Sequence, residues 1–145
     1  MAVDKVALLV ADIFESAGLF RRQGEAIAAS LGQTQARWGV MSAATDKVRT
    51  VPQIARRQGM ARQSIQRTAN ELVKDGLAEF HENPDHRGSP ILVLTPEGAE
   101  IHRKIMQKAR EYHQHSLDVV SEEEIEQICD GLQRINIRLR LALNQ

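Results

Sequence analysis

The chain holds a single cysteine, Cys129, in 145 residues. One thiol excludes an intramolecular disulfide framework and a zinc site built from several cysteines. Aromatic side chains make up only 3%, so a core drawn from the 42% of hydrophobic residues is aliphatic. No uncharged apolar run is long enough to span a membrane: the stretch after Met1-Ala2-Val3-Asp4-Lys5 is broken by Asp12 and Glu15. The same start lacks the basic region and small-residue cleavage site of a signal peptide. A cytoplasmic location with no membrane partner is therefore expected. Net formal charge is absent too, with 19 basic and 19 acidic residues, so bulk attraction to nucleic acid or an anionic surface is not indicated. No catalytic triad, phosphate loop or carboxylate pair stands out, and neither enzymatic activity nor a cofactor is expected.

What the chain does have is charge gathered in its middle. Between residues 47 and 74 lie seven basic residues (Lys47, Arg49, Arg56, Arg57, Arg62, Arg67 and Lys74) against one acid, Glu71. The compensating acids stand elsewhere, notably Glu122, Glu123, Glu124 and Glu126. A neutral protein with a basic middle fits a polyanion-binding face on an otherwise ordinary surface. The centre of that stretch, residues 61–76, reads as an amphipathic helix. Ile65, Ala69, Leu72 and Val73 recur at helical steps, and Gly76 stands where a left-handed cap ends a helix. Arg62, Gln63, Ser64, Gln66 and Arg67 gather at its start, largely off the apolar face. Such side chains suit base edges: arginine forks onto guanine, glutamine pairs with adenine, and serine bonds a base or a phosphate. A plain surface helix is also rich in Arg and Gln, so the flanking segments decide between the two readings.

The length suits one domain, or one domain with an oligomerisation extension. Residues 4–31 read as a first helix, with Asp4 as its cap and Gly32 as its stop. Gly18 and Gly24 interrupt its pattern and predict a kink or break. Its apolar arc, which includes Leu9 and Ile13, is broader than a short domain needs, which points part of it at another chain. Thr34 caps a second helix to about residue 44, where Trp38 is read as a core anchor rather than a ligand platform. Residues 48–51 form a short β-type piece. Pro52 then starts a short helix over 52–58, and a tight turn at Gly59-Met60 joins it to the amphipathic helix, giving a helix-turn-helix.

Residues 77–82 and 91–95 have strand character, and the turn-rich segment 83–90 between them makes a β-hairpin, or wing, with Arg87 near its tip. Arg87 suits a narrow minor groove. The alternative is an ion pair with Asp85 inside the loop, and both hold if Asp85 orients the arginine. Thr95-Pro96-Glu97-Gly98 opens a long helix, and Ser121 with Glu124 forms a capping box for the last one. In that last helix Ile125, Ile128, Leu132, Ile135 and Leu139 are spaced 3, 4, 3, 4, a heptad-like seam. Together with the first helix the seam predicts a dimerisation surface; packing within one chain is the alternative.

Six stretches now meet in one order and spacing. They are Thr34-Gln35-Ala36-Arg37-Trp38-Gly39-Val40, Thr50-Val51-Pro52-Gln53-Ile54-Ala55, Ser64-Ile65-Gln66-Arg67, Leu72-Val73-Lys74-Asp75-Gly76-Leu77, Asp85-His86-Arg87 and Leu94-Thr95-Pro96-Glu97-Gly98. In them the chain resembles the MarR-type (multiple antibiotic resistance regulator) winged helix-turn-helix regulators over essentially its whole length. The most specific match is the Asp-x-Arg wing followed by Leu-Thr-x-x-Gly. The resemblance implies a mainly α fold with a small β-wing: two helices, a short strand, two helices, two strands, two helices. It implies a DNA-binding region over residues 34–95 and a helical dimerisation region from 1–33 and 96–145, within one compact chain. It further implies a homodimeric repressor on a pseudo-palindromic double-stranded operator, with half-sites about 10 bp apart. Arg49, Arg62, Gln63, Ser64, Gln66, Arg67 and Arg87 are then the DNA-contacting residues. A small aromatic or phenolic ligand would release the DNA.

Gly88-Ser89-Pro90 stands where the family more often has longer polar or basic residues, which implies fewer phosphate contacts from the wing. Some members sense oxidants through a cysteine near the N-terminus; this chain has none there, and Cys129 beside Ile128 reads as a packing residue rather than a reactive thiol. His113 and His115 point to different sides of a helix, and His81, His86 and His102 are scattered. A metal-responsive regulator is one alternative, then, and a winged-helix protein-interaction module that never touches DNA is another.

Overall fold

A computed structural model describes residues 3–144. Its elements are α1 (Lys5–Ala29), α2 (Gln35–Asp46), α3 (Val51–Gln58), α4 (Arg62–Lys74), β1 (Ala78–His81), β2 (Ile91–Leu94), α5 (Pro96–Ser116) and α6 (Glu122–Ala142). They fall into two compact units, one ending at Ala109 and the other starting at Arg110. Met1, Ala2 and Gln145, which the expected dimerisation region includes, lie outside the described residues.

The helices begin where side chains satisfy their first backbone amides. Asp4 Oδ1 accepts from the amides of Val6 and Ala7 at 3.0 and 3.1 Å, and Thr34 Oγ1 accepts from Arg37 N at 3.1 Å. Thr50 and Gln53 form a reciprocal capping box at the start of α3, with Pro52 in its first turn. In the first unit the core is aliphatic: Ile27 from α1, Val40 and Met41 from α2, Ile54 from α3, Leu72 from α4, Leu92 from β2 and Ile105 from α5 are fully buried. Trp38 packs against this core without being fully enclosed, the anchoring role expected of it.

Three expectations are corrected. First, α1 runs without a break. Gly24 serves packing instead: a Cβ there would stand 2.9 Å from Gln35 Cγ and 3.2 Å from Trp38 Cζ3, so the missing side chain lets α2 approach α1. Second, the β-type piece at 48–51 is not a strand. Only Thr50 pairs, in an isolated antiparallel bridge to Ile91, because Val51 is already the first residue of α3. The sheet is therefore the two-stranded hairpin alone, with Ala78 opposite Leu94 and His81 opposite Ile91. Third, Val73 leaves the buried face of α4 and is 36% exposed.

The end of α4, the start of the wing and the start of α5 meet at one node. Gly76 takes a positive φ of 75° and turns the chain out of the helix. Thr95 Oγ1 donates to Gly76 O at 2.7 Å and accepts from Gly98 N at 3.1 Å, while Thr95 N donates to Leu77 O at 3.0 Å. A Cβ on Gly98 would lie 1.9 Å from Leu77 O, which leaves room for glycine alone. This contact is the physical content of the Leu-Thr-x-x-Gly stretch.

In the second unit, Ser121 Oγ accepts from Glu124 N at 3.1 Å and Glu124 Oε1 accepts from Ser121 N at 3.2 Å, the expected capping box of α6. No described residue of α6 is buried.

Candidate nucleic-acid interface

The face that α4 turns away from the core is polar and basic. Ile65, Ala69 and Leu72 are buried inward. Opposite them, at steps of four, three and four, stand Gln63, Arg67, Asn70 and Lys74, all exposed. Arg62, Ser64 and Gln66 are exposed on its flanks. None of the ion pairs among the described residues engages Arg62, Arg67 or Lys74, so their charge is available to phosphates.

Arg62, Gln63 and Gln66 also line a cleft of about 510 Å³ between the start of α4 and the wing. Its other walls are Val51 and Pro52 of α3, Phe80 of β1, and Gly88, Ser89 and Pro90 at the end of the wing loop. The structure thus brings Arg62, Gln63 and Gln66 and the wing around one cleft, while Ser64 and Arg67 are exposed on α4 outside its lining. It also adds Asn70, which the sequence reading passed over. Gln66 Nε2 donates to Asn70 Oδ1 at 3.0 Å, one turn along the helix, and this bond orients the Gln66 amide. The signal was the four-residue step from Gln66 to a position opposite the apolar face.

Arg49 and Asp85 stand apart from the other predicted residues. Arg49 is turned inward, with 13% of its side chain exposed. Its Nη1 donates to Ala43 O at 2.7 Å and pairs with Asp46, so it closes the C-terminal turn of α2. Asp85 forms no ion pair with Arg87 among the described residues; Asn83 Oδ1 accepts from Asp85 N at 3.1 Å, and Arg87 is exposed on the wing. The loop is shaped by its own backbone, with His86 N donating to Asn83 O at 3.2 Å and Gly88 at a φ of 87°.

Among the histidines, His102 is set apart. Ser42 Oγ lies 2.9 Å from His102 Nε2 between α2 and α5. Burial there holds its imidazole below the usual histidine range, because the charged form loses solvation. No group of three His, Cys, Asp or Glu suited to a metal ion occurs among the described residues, and no described helix is long and apolar enough to cross a membrane.

Apolar side chains outside the core lie mostly on two helices. On α1, Val6, Leu9, Val10, Ile13 and Phe14 are exposed; on α6, Ile125, Ile128, Ile137 and Leu139 are exposed. Leu132 and Ile135 of the seam are half-buried.

A helix-turn-helix followed by a two-stranded hairpin defines the class: a winged helix-turn-helix protein. The sequence profile of the MarR family matches residues 39–87, from α2 to the tip of the wing. Uncharacterised proteins of Mycobacterium tuberculosis and Mycobacterium bovis are each 47% identical over 137 residues, covering 94% of this chain and 96% of the relative. Among solved structures, NadR in complex with 4-hydroxyphenylacetate superposes with a TM-score of 0.82 at 18% identity, over 94% of this chain and 97% of that one. A MarR family transcriptional regulator from Rhodococcus gives 0.79 at 16% identity, over 93% and 96%. CouR from Rhodococcus jostii bound to p-coumaroyl-CoA gives 0.77 at 18% identity, over 92% of each chain. These likenesses show a shared fold. The chain belongs to the MarR family of transcriptional regulators.

Proposed function

We propose that this protein is a homodimeric, sequence-specific repressor that reads a pseudo-palindromic operator and leaves it when a small aromatic or phenolic ligand binds. The observation that carries the reading is the outward face of α4, where Gln63, Arg67, Asn70 and Lys74 stand exposed beside a wing bearing Arg87. Arg62 and Gln63 at the N-terminal end of α4 reach base edges in the major groove, the end that helix-turn-helix proteins present to the bases. Gln66, steadied by Asn70, presents an oriented amide. Ser64 and Arg67 take phosphates, and Arg87 enters the adjacent minor groove. Dimerisation through the uncovered apolar faces of α1 and α6 doubles the reading head and requires two-fold symmetry in the DNA. The effector class is supported by the aromatic ligands held by NadR and CouR.

The test is selection of bound duplexes from a randomised pool by the wild-type protein, followed by affinity measurements on the most enriched duplex. Arg62→Ala and Gln63→Ala are each expected to weaken binding by about 1–3 kcal/mol and to relax base preference at the position they read. Unchanged affinity in both variants and in Arg87→Ala would overturn the docking. Release of that duplex by hydroxylated aromatic acids, and not by aliphatic acids of equal charge, tests the effector class.

A further inference from the structure

The ion pairs Arg49–Asp46, His81–Glu79, Arg103–Glu100 and Arg134–Asp130 each join residues within four positions of one another. Arg37 and Asp75 are 38 positions apart, and their pair ties α2 to the end of α4, with Nη1 2.8 Å from Oδ2. Asp75 is the C-terminal cap of α4. An acid is opposed at that position, because the helix dipole already presents partial negative charge there. Its placement is explained by its partner and not by the helix it ends. The arginine is the enclosed member, with 15% of its side chain exposed against 49% for Asp75. Arg37 sits in the first turn of α2, its amide held by the Thr34 cap, next to the Trp38 that packs on Gly24 of α1.

We propose that Arg37 and Asp75 are positioning residues for DNA reading: their ion pair is a strut that fixes the tilt of α4 against α2, and so fixes where Arg62 and Gln63 arrive on the bases. The lever is long. At 1.5 Å per residue, Arg62 lies roughly 20 Å from Asp75 along the helix, so a tilt of about 5° moves it by roughly 1.7 Å. Productive contacts tolerate about 0.5 Å. The strut also joins α4 to the α1–α2 contact at Trp38, which makes it a route by which a shift of α1 reaches the reading head. The inference rests on the DNA-reading role proposed for α4.

The test exchanges the charges. Arg37→Asp and Asp75→Arg each place two like charges at the contact, while the double exchange restores an attractive pair. The exchanged charges also suit the helix ends, acid in the first turn of α2 and base at the last turn of α4. All proteins are checked for helical content, and Asp75→Asn serves as a milder variant. The readout is the ratio of affinities for the duplex most enriched by the wild type and for a shuffled duplex of equal length. Partial unfolding lowers both affinities alike and leaves the ratio unchanged. Each single exchange is expected to lower the ratio by about tenfold, and the double exchange to return it to within about threefold of wild type. Single variants with the wild-type ratio, or a double exchange no better than the poorer single, would overturn the strut. If the wild type enriches no duplex, the DNA-reading role itself fails. The strut is then decided by amide exchange in the last turn of α4: acceleration in both single variants with recovery in the double supports it, and equal rates in all four proteins overturn it.

Discussion

His102 shows how much a single position can report. Its imidazole is partly buried between α2 and α5 with Ser42 Oγ at 2.9 Å, and burial lowers its proton affinity in the folded state. The unfolded chain therefore binds the proton first as pH falls. The stability contributed by a neutral His102 is complete above the ordinary histidine value of about 6.5 and is lost as pH drops from there towards the lower folded value. Denaturant midpoints measured from pH 8 to pH 5 are expected to decline across that window, and His102→Gln to remove part of the decline. A variant with the same slope as wild type would place the titration elsewhere. Arg49 teaches a different lesson at the same scale. Its charge counted towards the basic stretch, yet its side chain is spent inside the protein on Ala43 O and Asp46. Composition counts charges; it does not say which are already neutralised.

At the scale of elements, the node where α4, the wing and α5 meet allows little variation. Gly98→Ala drives a methyl into Leu77 O, a backbone atom that cannot swing aside. The expected cost is about 3 kcal/mol of unfolding free energy, at the upper end of ordinary overpacking, read as a lower urea midpoint at unchanged slope. An undiminished midpoint would mean that α5 shifts freely against the wing. This node was legible as a motif but not as a contact, since nothing in Thr95 or Gly98 names Leu77 as the neighbour. Helix starts were more legible, because Asp4, Thr34 and Ser121 cap within three residues of themselves and the chemistry is local. The expected short strand at residues 48–51 failed for a local reason as well: Pro52 and the Thr50–Gln53 capping box commit Val51 to α3, leaving Thr50 alone to pair. The Arg37–Asp75 pair was invisible. Residues 38 positions apart share no periodicity, and only the packing of α2 on α4 brings them together.

For the whole molecule, the uncovered apolar faces are the feature that most needs a partner. Leu9 and Ile13 on α1 are 43% and 38% exposed, and Ile128 and Leu139 on α6 are 53% and 54% exposed. Exposed apolar residues repeated along one helix in this way mark an interface. Ile13→Glu and Ile128→Glu are each expected to shift sedimentation from dimer to monomer. They are also expected to weaken operator binding by about a hundredfold, since each half-site is then held without its tethered neighbour. Variants that stay dimeric and bind as wild type would assign these faces another role. The neutral balance of charge bears on how such a molecule finds its target. Beyond the Debye length of about 8 Å at physiological salt, an uncharged protein is not drawn towards DNA from afar. On the proposed docking, attraction would begin only once Arg62, Arg67 and Lys74, on the exposed side of α4, are near phosphates. The proposed reader would then gain little from long-range steering, and its choice of duplex would rest on contacts made at short range.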